Sequence, residues 1–240
     1  MRGSRLKRHR VVFDPMKVEI LDPLPVRVDL GSLKKSAHVP QGEEERLLSL
    51  IAAAHSVMAA KALYKVSYID SKGEDCVTID GVLFRSRVLR KHFDKVERVF
   101  PYVVTIGAGL DRIEKASGDP LDKYYLDLIG NAAVVSAREQ IRERLRSRYA
   151  LQEVSYLGPG QLKDWPLEEQ RPLFSLLGDV ESAVGVTLSD SLLMIPRKSL
   201  SGIYFAAETA FFACQLCPRE ECSSRKAAYN KELAKEYKPS

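Results

Sequence analysis

The feature that most constrains the fold is a long helical pattern in the middle of the chain, between Asp119 and Tyr149. Asp119 is a residue type that caps helices, and Pro120 suits a first turn. Gly130 interrupts the pattern and predicts either a break or a close packing contact. Apolar side chains at helical spacing form one stripe: Leu121, Tyr125, Leu128, Ala132, Val135, Ile141 and Leu145.

Shorter helical patterns and two-residue alternation, which is typical of strands, occupy much of the remaining chain. Helices are predicted at residues 43–61, 86–96 and 166–177, and in a segment that runs into the C-terminal cysteines. Strands are predicted at residues 62–70, 75–84, 99–107, 188–196 and 198–206, with turns at 71–74 and 196–198. Because strands and helices do not alternate regularly, an α+β fold is favoured over a doubly wound α/β fold.

The chain of 240 residues is long enough for one large domain. We predict a basic arm at residues 1–12, a single domain at residues 13–230 and a charged tail at residues 231–240. Residues 1–10 hold five Lys or Arg and no acid, so the 37 basic residues of the chain fall to 32 without them, against 32 acidic residues. The net charge of +5 therefore belongs to the arm.

The apolar and charged patterns exclude several classes of protein. No apolar run is long enough to cross a bilayer, and the basic N-terminus leads into no apolar signal core. We therefore expect a cytoplasmic protein with no membrane partner. A nucleic-acid binder that uses the basic arm and a zinc knot is disfavoured, because such proteins usually spread Lys and Arg over a folded face. We expect no nucleic-acid partner.

Three of the four cysteines lie close together, as Cys214, Cys217 and Cys222 in a C-x2-C-x4-C spacing. Clustered cysteines in a chain without a secretion signal point to metal or redox chemistry. Thiolates suit an iron–sulfur cluster or zinc. A closed zinc site needs a fourth ligand, which would be Cys76, another residue type or a partner. We predict a metal site here, and the alternative is a helix end with partly buried thiols.

A second motif is incomplete. Gly107 and Gly109 follow a predicted strand and precede a predicted helix, as in dinucleotide-binding loops. Position 112 holds Arg where that pattern requires a third glycine. The two glycines are therefore more typical of an ordinary turn than of a nucleotide site.

Residues 156–205 carry several short motifs in a fixed order. They comprise Pro159-Gly160 in a loop, Leu188-Ser189-Asp190-Ser191 with Met194 and Pro196, and Ser199-Leu200-Ser201-Gly202-Ile203-Tyr204-Phe205. In order and spacing they resemble the activation domain of cobalamin-dependent methionine synthase. The resemblance covers most of residues 40–230 and is weaker before residue 156. The chain looks like a stand-alone relative of that domain with an added C-terminal cysteine cluster.

The resemblance implies a curved antiparallel sheet with flanking helices. It also implies docking on a corrinoid protein, such as cobalamin-dependent methionine synthase, whose cobalamin has drifted to inactive cob(II)alamin. An electron and the methyl group of S-adenosylmethionine then regenerate methylcobalamin on the partner, which carries the cobalamin. The candidate cofactor-binding residues are Pro159, Gly160, Ser201, Gly202 and Tyr204. For Tyr204 the alternative is a strand aromatic that fills the core.

Three ligand-binding positions of the family are different in this chain. The loop arginine falls at Tyr156, the loop tyrosine at Gln161, and a glutamate of the long helix at Val135. Those groups hold the amino acid and ribose of the ligand in the family. Because apolar Val135 supplies no charge or hydrogen bond, we expect the S-adenosylmethionine site to be altered or lost.

The cysteines suggest a source for the electron. Iron–sulfur clusters reach the low potentials that cobalamin reduction needs. The leading hypothesis is therefore a reductive activator of a corrinoid methyltransferase, with a cluster at Cys214, Cys217 and Cys222. The alternative is a docking module without redox chemistry, in which the same cysteines hold a structural zinc ion.

Overall fold

The computed structural model describes residues 18–37, 39–40, 42–222 and 225–237. The predicted basic arm at residues 1–12 lies outside these ranges. Helices cover both faces of an antiparallel sheet, so the predicted α+β fold class is confirmed. Within the described ranges, no helix is long and apolar enough to cross a membrane.

Helices of very different length surround the sheet. The α-helices are α1 (Leu30–Ala37), α2 (Glu44–Val57), α3 (Arg87–His92), α4 (Gly109–Ala116), α5 (Pro120–Tyr149), α6 (Gln170–Leu177), α7 (Val180–Val184) and α8 (Lys231–Glu236). Single 3-10 turns occupy Leu167–Glu169 and Ala213–Gln215. The strands are β1 (Val18–Leu21), β2 (Lys61–Lys65), β3 (Ser67–Lys72), β4 (Cys76–Ile79), β5 (Val82–Arg85), β6 (Arg98–Thr105), β7 (Glu153–Leu157), β8 (Thr187–Leu188), β9 (Met194–Ile195) and β10 (Ser199–Ala207).

Strand β6 lies at the centre of the main sheet. One of its edges pairs with β2 and β3 in a single continuous register, and its other edge pairs with β10. Beyond β10 the sheet continues with β7, and beyond β2 it continues with β1. Strand β3 also pairs with β4, and β4 pairs with β5. Every one of these pairings is antiparallel, as the hairpin patterns predict.

The long helix α5 forms as its sequence predicts. The side chain of Asp119 accepts a hydrogen bond from the Leu121 N–H at 2.8 Å, which caps the first turn. Gly130 does not break the helix. A β-carbon there would lie 2.5 Å from Leu110 Cδ2 and 2.9 Å from Lys198 Cε, so glycine allows α4 and the start of β10 to pack against α5.

The two faces of the sheet support separate apolar clusters, because successive side chains of a strand point to opposite faces. Along β6, Tyr102 and Val104 face α2 and α5, whereas Val99 and Val103 face α6 and α7. The centres of both clusters are buried: the four β6 side chains, and Trp165 of the second cluster, are at most 1% exposed. The core therefore fixes the register of β6 and of its neighbour β10, the strand that carries Ser201, Gly202 and Tyr204.

The two glycines after β6 serve packing. Gly107 has φ +77°, a left-handed conformation that glycine adopts without strain. A β-carbon on Gly109 would lie 1.9 Å from the Val57 carbonyl oxygen, so glycine lets α4 begin against the end of α2. This arrangement favours the interpretation of an ordinary turn.

Two predicted elements are different in the structure. Residues 188–196 do not form one strand, because Ser189 and Leu193 close a tight turn between β8 and β9. The helix predicted before the cysteines is only the 3-10 turn Ala213–Gln215. Helix α8 follows later, and Leu233 and Tyr237 pack against the second apolar cluster.

Candidate functional site

The predicted loop and strand motifs lie side by side. A β-carbon on Gly158 would lie 2.8 Å from the Ser201 carbonyl oxygen, and one on Gly202 would lie 2.3 Å from the Leu157 carbonyl oxygen. Only glycine allows these two backbones to approach so closely. The fold therefore brings the start of the Pro159-Gly160 loop against Ser201 and Gly202. That these residues form one cofactor site stays a prediction.

Three backbone N–H groups of the loop are hydrogen-bonded within the loop or to Trp165. The Gly158 N–H donates to Gln161 Oε1 at 3.2 Å, and the Gly160 N–H donates to the Trp165 carbonyl at 2.8 Å. The Gln161 N–H donates a hydrogen bond to the Gly158 carbonyl oxygen at 3.2 Å. Gln161, at the position of the family's loop tyrosine, therefore closes the loop instead of reaching outwards.

Tyr204 lies in the core beneath α5. Its side chain is fully buried, and its hydroxyl donates to the Arg138 carbonyl oxygen at 2.7 Å. The rings of Tyr204 and Tyr102 are 4.4 Å apart between centroids, and Tyr102 lies over Gly202, which leaves it room. Burial raises the pKa of Tyr204 well above its ordinary value. These contacts favour the alternative interpretation of Tyr204 as a core aromatic.

Tyr156, at the position of the family's loop arginine, lies beside Tyr204 on the next strand. The Arg138 guanidinium covers its ring, with 4.0 Å between Cζ and the ring centroid, a cation–π contact. The Arg138 side chain is 6% exposed. Its Nε is buried and has no hydrogen-bond partner among the described residues. Arg138, which belongs to α5, thus lies beside Tyr156, the position of the family's loop arginine.

More charged side chains surround Tyr156. Glu139 contacts Arg138 Nη2 at 3.3 Å and Arg142 Nε at 2.8 Å. Lys226 Nζ lies 4.0 Å from Glu139 Oε1 and 6.0 Å from the centroid of Tyr156. Three positive charges less one negative charge leave this cluster, Arg138, Glu139, Arg142 and Lys226, at +2. We call it the α5 charge cluster.

The α5 charge cluster was not predicted from the sequence, although three of its four residues follow one another on one face of a single predicted helix. Residues three and four apart on a helix share a face, so Arg138, Glu139 and Arg142 follow Val135 on the same side of α5. Glu139 thus supplies, one helical turn after Val135, the negative charge that the family's glutamate has at that position. Lys226 is brought to the cluster only by the folding of the distant cysteine loop.

The three clustered cysteines lie on a loop that an arginine organises. The Arg225 guanidinium donates to the carbonyl oxygens of Cys214 at 3.3 Å, Ala227 at 3.2 Å and Cys217 at 3.5 Å, and also to that of Arg219. The Lys226 N–H donates to Cys214 Sγ at 3.4 Å. A cation directed at the backbone therefore occupies the centre of the loop.

The predicted metal site has no support from this arrangement. Among the residues that the structure describes, no three His, Cys, Asp or Glu side chains are placed to hold a metal ion. Cys214 and Cys217 are half-buried, Cys222 is exposed, and all of them are free thiols, as is Cys76 on β4. The metal site at Cys214, Cys217 and Cys222 stays a prediction from spacing alone.

An open groove of about 1350 Å³ lies at the far end of β10. Apolar side chains on its wall include Phe100, Leu151, Phe205, Phe211, Leu233 and Tyr237. None of the five predicted cofactor-binding residues lines this groove. The candidate site therefore lies outside the groove. It comprises the 158–161 loop, the SGIY strand segment (Ser201–Tyr204) and the α5 charge cluster.

Comparisons with known proteins match part of the sequence and the fold. Residues 159–228 match the family model described as "Vitamin B12 dependent methionine synthase, activation domain". The chain is also similar to a solved structure, "Crystal Structure of the MetH Reactivation Domain bound to AdoHcy", with 14% sequence identity and a TM-score of 0.55. That similarity covers 82% of this chain and 80% of that chain. No curated protein matches the chain. The resemblance to the activation domain and its fold, both predicted from sequence, are confirmed.

Proposed function

We propose that this chain, which has the fold of the methionine synthase activation domain, reactivates a corrinoid-dependent methyltransferase such as cobalamin-dependent methionine synthase. It acts by docking on the corrinoid domain of that partner. The observation that carries the proposal is the family match at residues 159–228. That segment contains the Pro159-Gly160 loop, β10 and Lys226. The proposal is supported by the packing of Gly158 against Ser201 and by Lys226 Nζ, which lies 6.0 Å from the centroid of Tyr156.

The proposed reaction consumes S-adenosylmethionine. Cob(II)alamin on the partner takes up one electron from a low-potential one-electron donor. The resulting cob(I)alamin attacks the methyl carbon of S-adenosylmethionine, and the carbon–sulfur bond breaks. Its electron pair remains on sulfur, so the products are methylcobalamin and S-adenosylhomocysteine. The similar MetH reactivation domain is bound to AdoHcy, which is the second of these products.

The donor of the electron is either a separate redox protein or an iron–sulfur cluster at Cys214, Cys217 and Cys222. The first source requires nothing of this chain beyond docking. The second would require the three thiols to leave the loop conformation that Arg225 stabilises, because its guanidinium is bonded to the carbonyls of Cys214 and Cys217.

The residues of this chain would bind and orient the methyl donor. The 158–161 loop lies against the backbone of Ser201. The Tyr156 ring lies on the face of the sheet that α5 covers, and an aromatic face is suited to a cationic sulfonium. Arg138 already covers that ring, so any S-adenosylmethionine site here is altered from that of the family.

Docking is tested by titrating the chain into methionine synthase that has been truncated before its own activation domain. The cobalamin of the partner is held either as cob(II)alamin or as methylcobalamin, and complex formation is followed by analytical ultracentrifugation. The proposal predicts a complex with the cob(II)alamin form that is weaker with the methylcobalamin form. Equal sedimentation of the separate proteins in both states would contradict it.

A further inference from the structure

Two of the clustered cysteines lie on one short turn. The N–H groups of Gln215, Leu216 and Cys217 each donate to the carbonyl oxygen three residues earlier. The last of these bonds runs from Cys217 to Cys214 and is 3.2 Å long. This is the hydrogen-bond pattern of a 3-10 helix, in which side chains three residues apart lie on the same side. Cys214 and Cys217 therefore share one face of the turn.

The spacing of this turn suits a disulfide. A 3-10 helix rises about 2 Å per residue, so the α-carbons of Cys214 and Cys217 are about 6 Å apart. Disulfides most often join α-carbons that are about 5.5–6 Å apart. Both thiols are free and half-buried. Among the described residues no three side chains are placed to hold a metal ion, whereas a disulfide needs only two sulfurs.

The surroundings of Cys214 connect it with the α5 charge cluster. The Lys226 N–H donates to Cys214 Sγ at 3.4 Å, and Lys226 Nζ lies 4.0 Å from Glu139 Oε1. The preceding residue, Arg225, donates to the carbonyl oxygens of both cysteines. Reactive cysteines are typically partly exposed and lie near cationic groups. A single residue, Lys226, therefore contacts both the thiol and the cluster.

We infer that Cys214 and Cys217 form a reversible dithiol–disulfide pair that controls how Lys226 is held in the α5 charge cluster. In the reduced state, Cys214 Sγ accepts the Lys226 N–H. In the oxidised state, Cys214 Sγ turns towards Cys217, because the two sulfurs are then covalently bonded, and the Lys226 N–H loses its acceptor. The pair requires neither a corrinoid partner nor S-adenosylmethionine, so it is independent of the proposed function.

The oxidant is a small external disulfide, such as glutathione disulfide. The thiolate of one cysteine attacks a sulfur of this reagent, the sulfur–sulfur bond of the reagent breaks, and one thiolate leaves. The thiolate of the other cysteine then attacks the sulfur of the first, which forms the protein disulfide and releases the second thiolate. The protein loses two electrons and two protons, and the reagent gains them as two thiol molecules. Excess small thiol reverses the reaction.

Oxidation of the full chain with glutathione disulfide tests the pairing. We expect the four free thiols to fall to two, and peptide mapping to find Cys214 joined to Cys217. In the Cys217→Ser variant, Cys214 should form only a mixed disulfide with glutathione. Cys222→Ser is the matched control in the same loop, and it should form the Cys214–Cys217 link as the unmodified chain does. The mapping of the unmodified chain stands without either variant.

Hydrogen exchange of backbone amides, followed by NMR, tests the effect on Lys226. We expect its amide to exchange about two- to tenfold faster in the oxidised chain, the factor that corresponds to one ordinary hydrogen bond. The Asn230 amide is the control, because it donates to the Gln215 carbonyl oxygen at 2.9 Å and not to a thiol. Its exchange rate should be the same in both states.

Several results would overturn the inference. The pairing is wrong if all four thiols persist, if only glutathione adducts form, or if the disulfide includes Cys222 or Cys76. It is also wrong if the reduced chain shows fewer than four reactive thiols until a chelator is added, because the cysteines then hold a metal ion. If the Cys214–Cys217 link forms but the Lys226 amide exchanges at its original rate, or no faster than that of Asn230, control of Lys226 is overturned. None of these results overturns the proposed function, which is tested with the corrinoid partner.

Discussion

The hydroxyl of Tyr204 donates a hydrogen bond to the main-chain carbonyl of Arg138 at 2.7 Å, across the buried interface between β10 and α5. This bond joins the SGIY strand segment to the helix that carries the α5 charge cluster. Both partners are buried, so no water replaces the bond when it is lost. The position of Arg138 over Tyr156 therefore depends on a residue that does not itself face solvent.

Tyr204→Phe removes only that hydroxyl. We expect the free energy of unfolding to fall by about 1–2 kcal/mol, because the bond is lost and a hydroxyl-sized gap remains. Urea titration followed by circular dichroism measures the change. Tyr229→Phe is the control, since Tyr229 is 40% exposed, and its value should stay within about 0.5 kcal/mol of the unmodified chain. Equal stability of the two variants would show that the bond does not matter.

Gly202→Ala tests the close approach of β10 and β7. Its β-carbon would lie 2.3 Å from the Leu157 carbonyl oxygen, so the strands must separate. A loss of about 3 kcal/mol is expected from such overpacking. Gly118→Ala is the control, because a β-carbon there meets nothing within 4 Å and the backbone is not left-handed. A folded Gly202→Ala protein with an unchanged unfolding midpoint in urea would contradict the described strand packing.

His92 makes stability dependent on pH. Desolvation by burial, with a smaller contribution from Lys91, lowers its pKa from 6.5 to about 4. Between these values the unfolded chain binds a proton that the folded chain does not, so stability falls as pH decreases from 7 to 4. The loss has an upper bound of about 3 kcal/mol, from about 1.4 kcal/mol per pKa unit.

His92→Phe isolates this contribution, because the ring packs among Phe205, Phe211 and Tyr237. The variant should lose less stability than the unmodified chain between pH 7 and pH 4 in urea titrations. His55→Gln, at an exposed position on α2, should keep the original dependence. Parallel curves for all three proteins would refute the assignment to His92.

Arg225→Ala tests what holds the cysteine loop. Its guanidinium bonds to four carbonyl oxygens of the loop. Without it we expect faster proteolysis between residues 214 and 227, and faster reaction of Cys214 with Ellman's reagent. A chelator added to the unmodified chain should leave both rates unchanged. If chelation instead reproduces the effect of the variant, a metal ion at Cys214, Cys217 and Cys222 holds the loop.

Local signals in the sequence predicted much of the fold. The Asp119 cap places the start of α5 correctly, and of the two outcomes predicted for Gly130 the close packing contact is observed. Of the predicted stripe only Tyr125, Ile141 and Leu145 are buried, because the helix turns Ile129, Ala133 and Ala137 towards the sheet instead. The prediction of one strand at residues 188–196 was wrong for a physical reason. Alternating apolar residues do not reveal that Leu192 adopts φ +66° and that Ser189 closes a turn.

The candidate site was less predictable because it is assembled over long sequence distances. The motifs around Pro159 and Ser201 indicated the loop and the strand, and the glycines between them explain why the two meet. The pairing of Arg138 with Tyr156 depends on how α5 crosses the sheet, and the approach of Lys226 depends on the cysteine loop. No spacing rule within one element can show either contact.

The most direct test of the proposed reactivation is methyl transfer from S-adenosylmethionine labelled with carbon-14 in its methyl group. The acceptor is methionine synthase truncated before its own activation domain and held as cob(II)alamin, with titanium(III) citrate as the reductant. The account predicts label on cobalamin, together with S-adenosylhomocysteine, in a reaction that needs this chain. Equal labelling in its absence, or none in its presence, would contradict the proposed function.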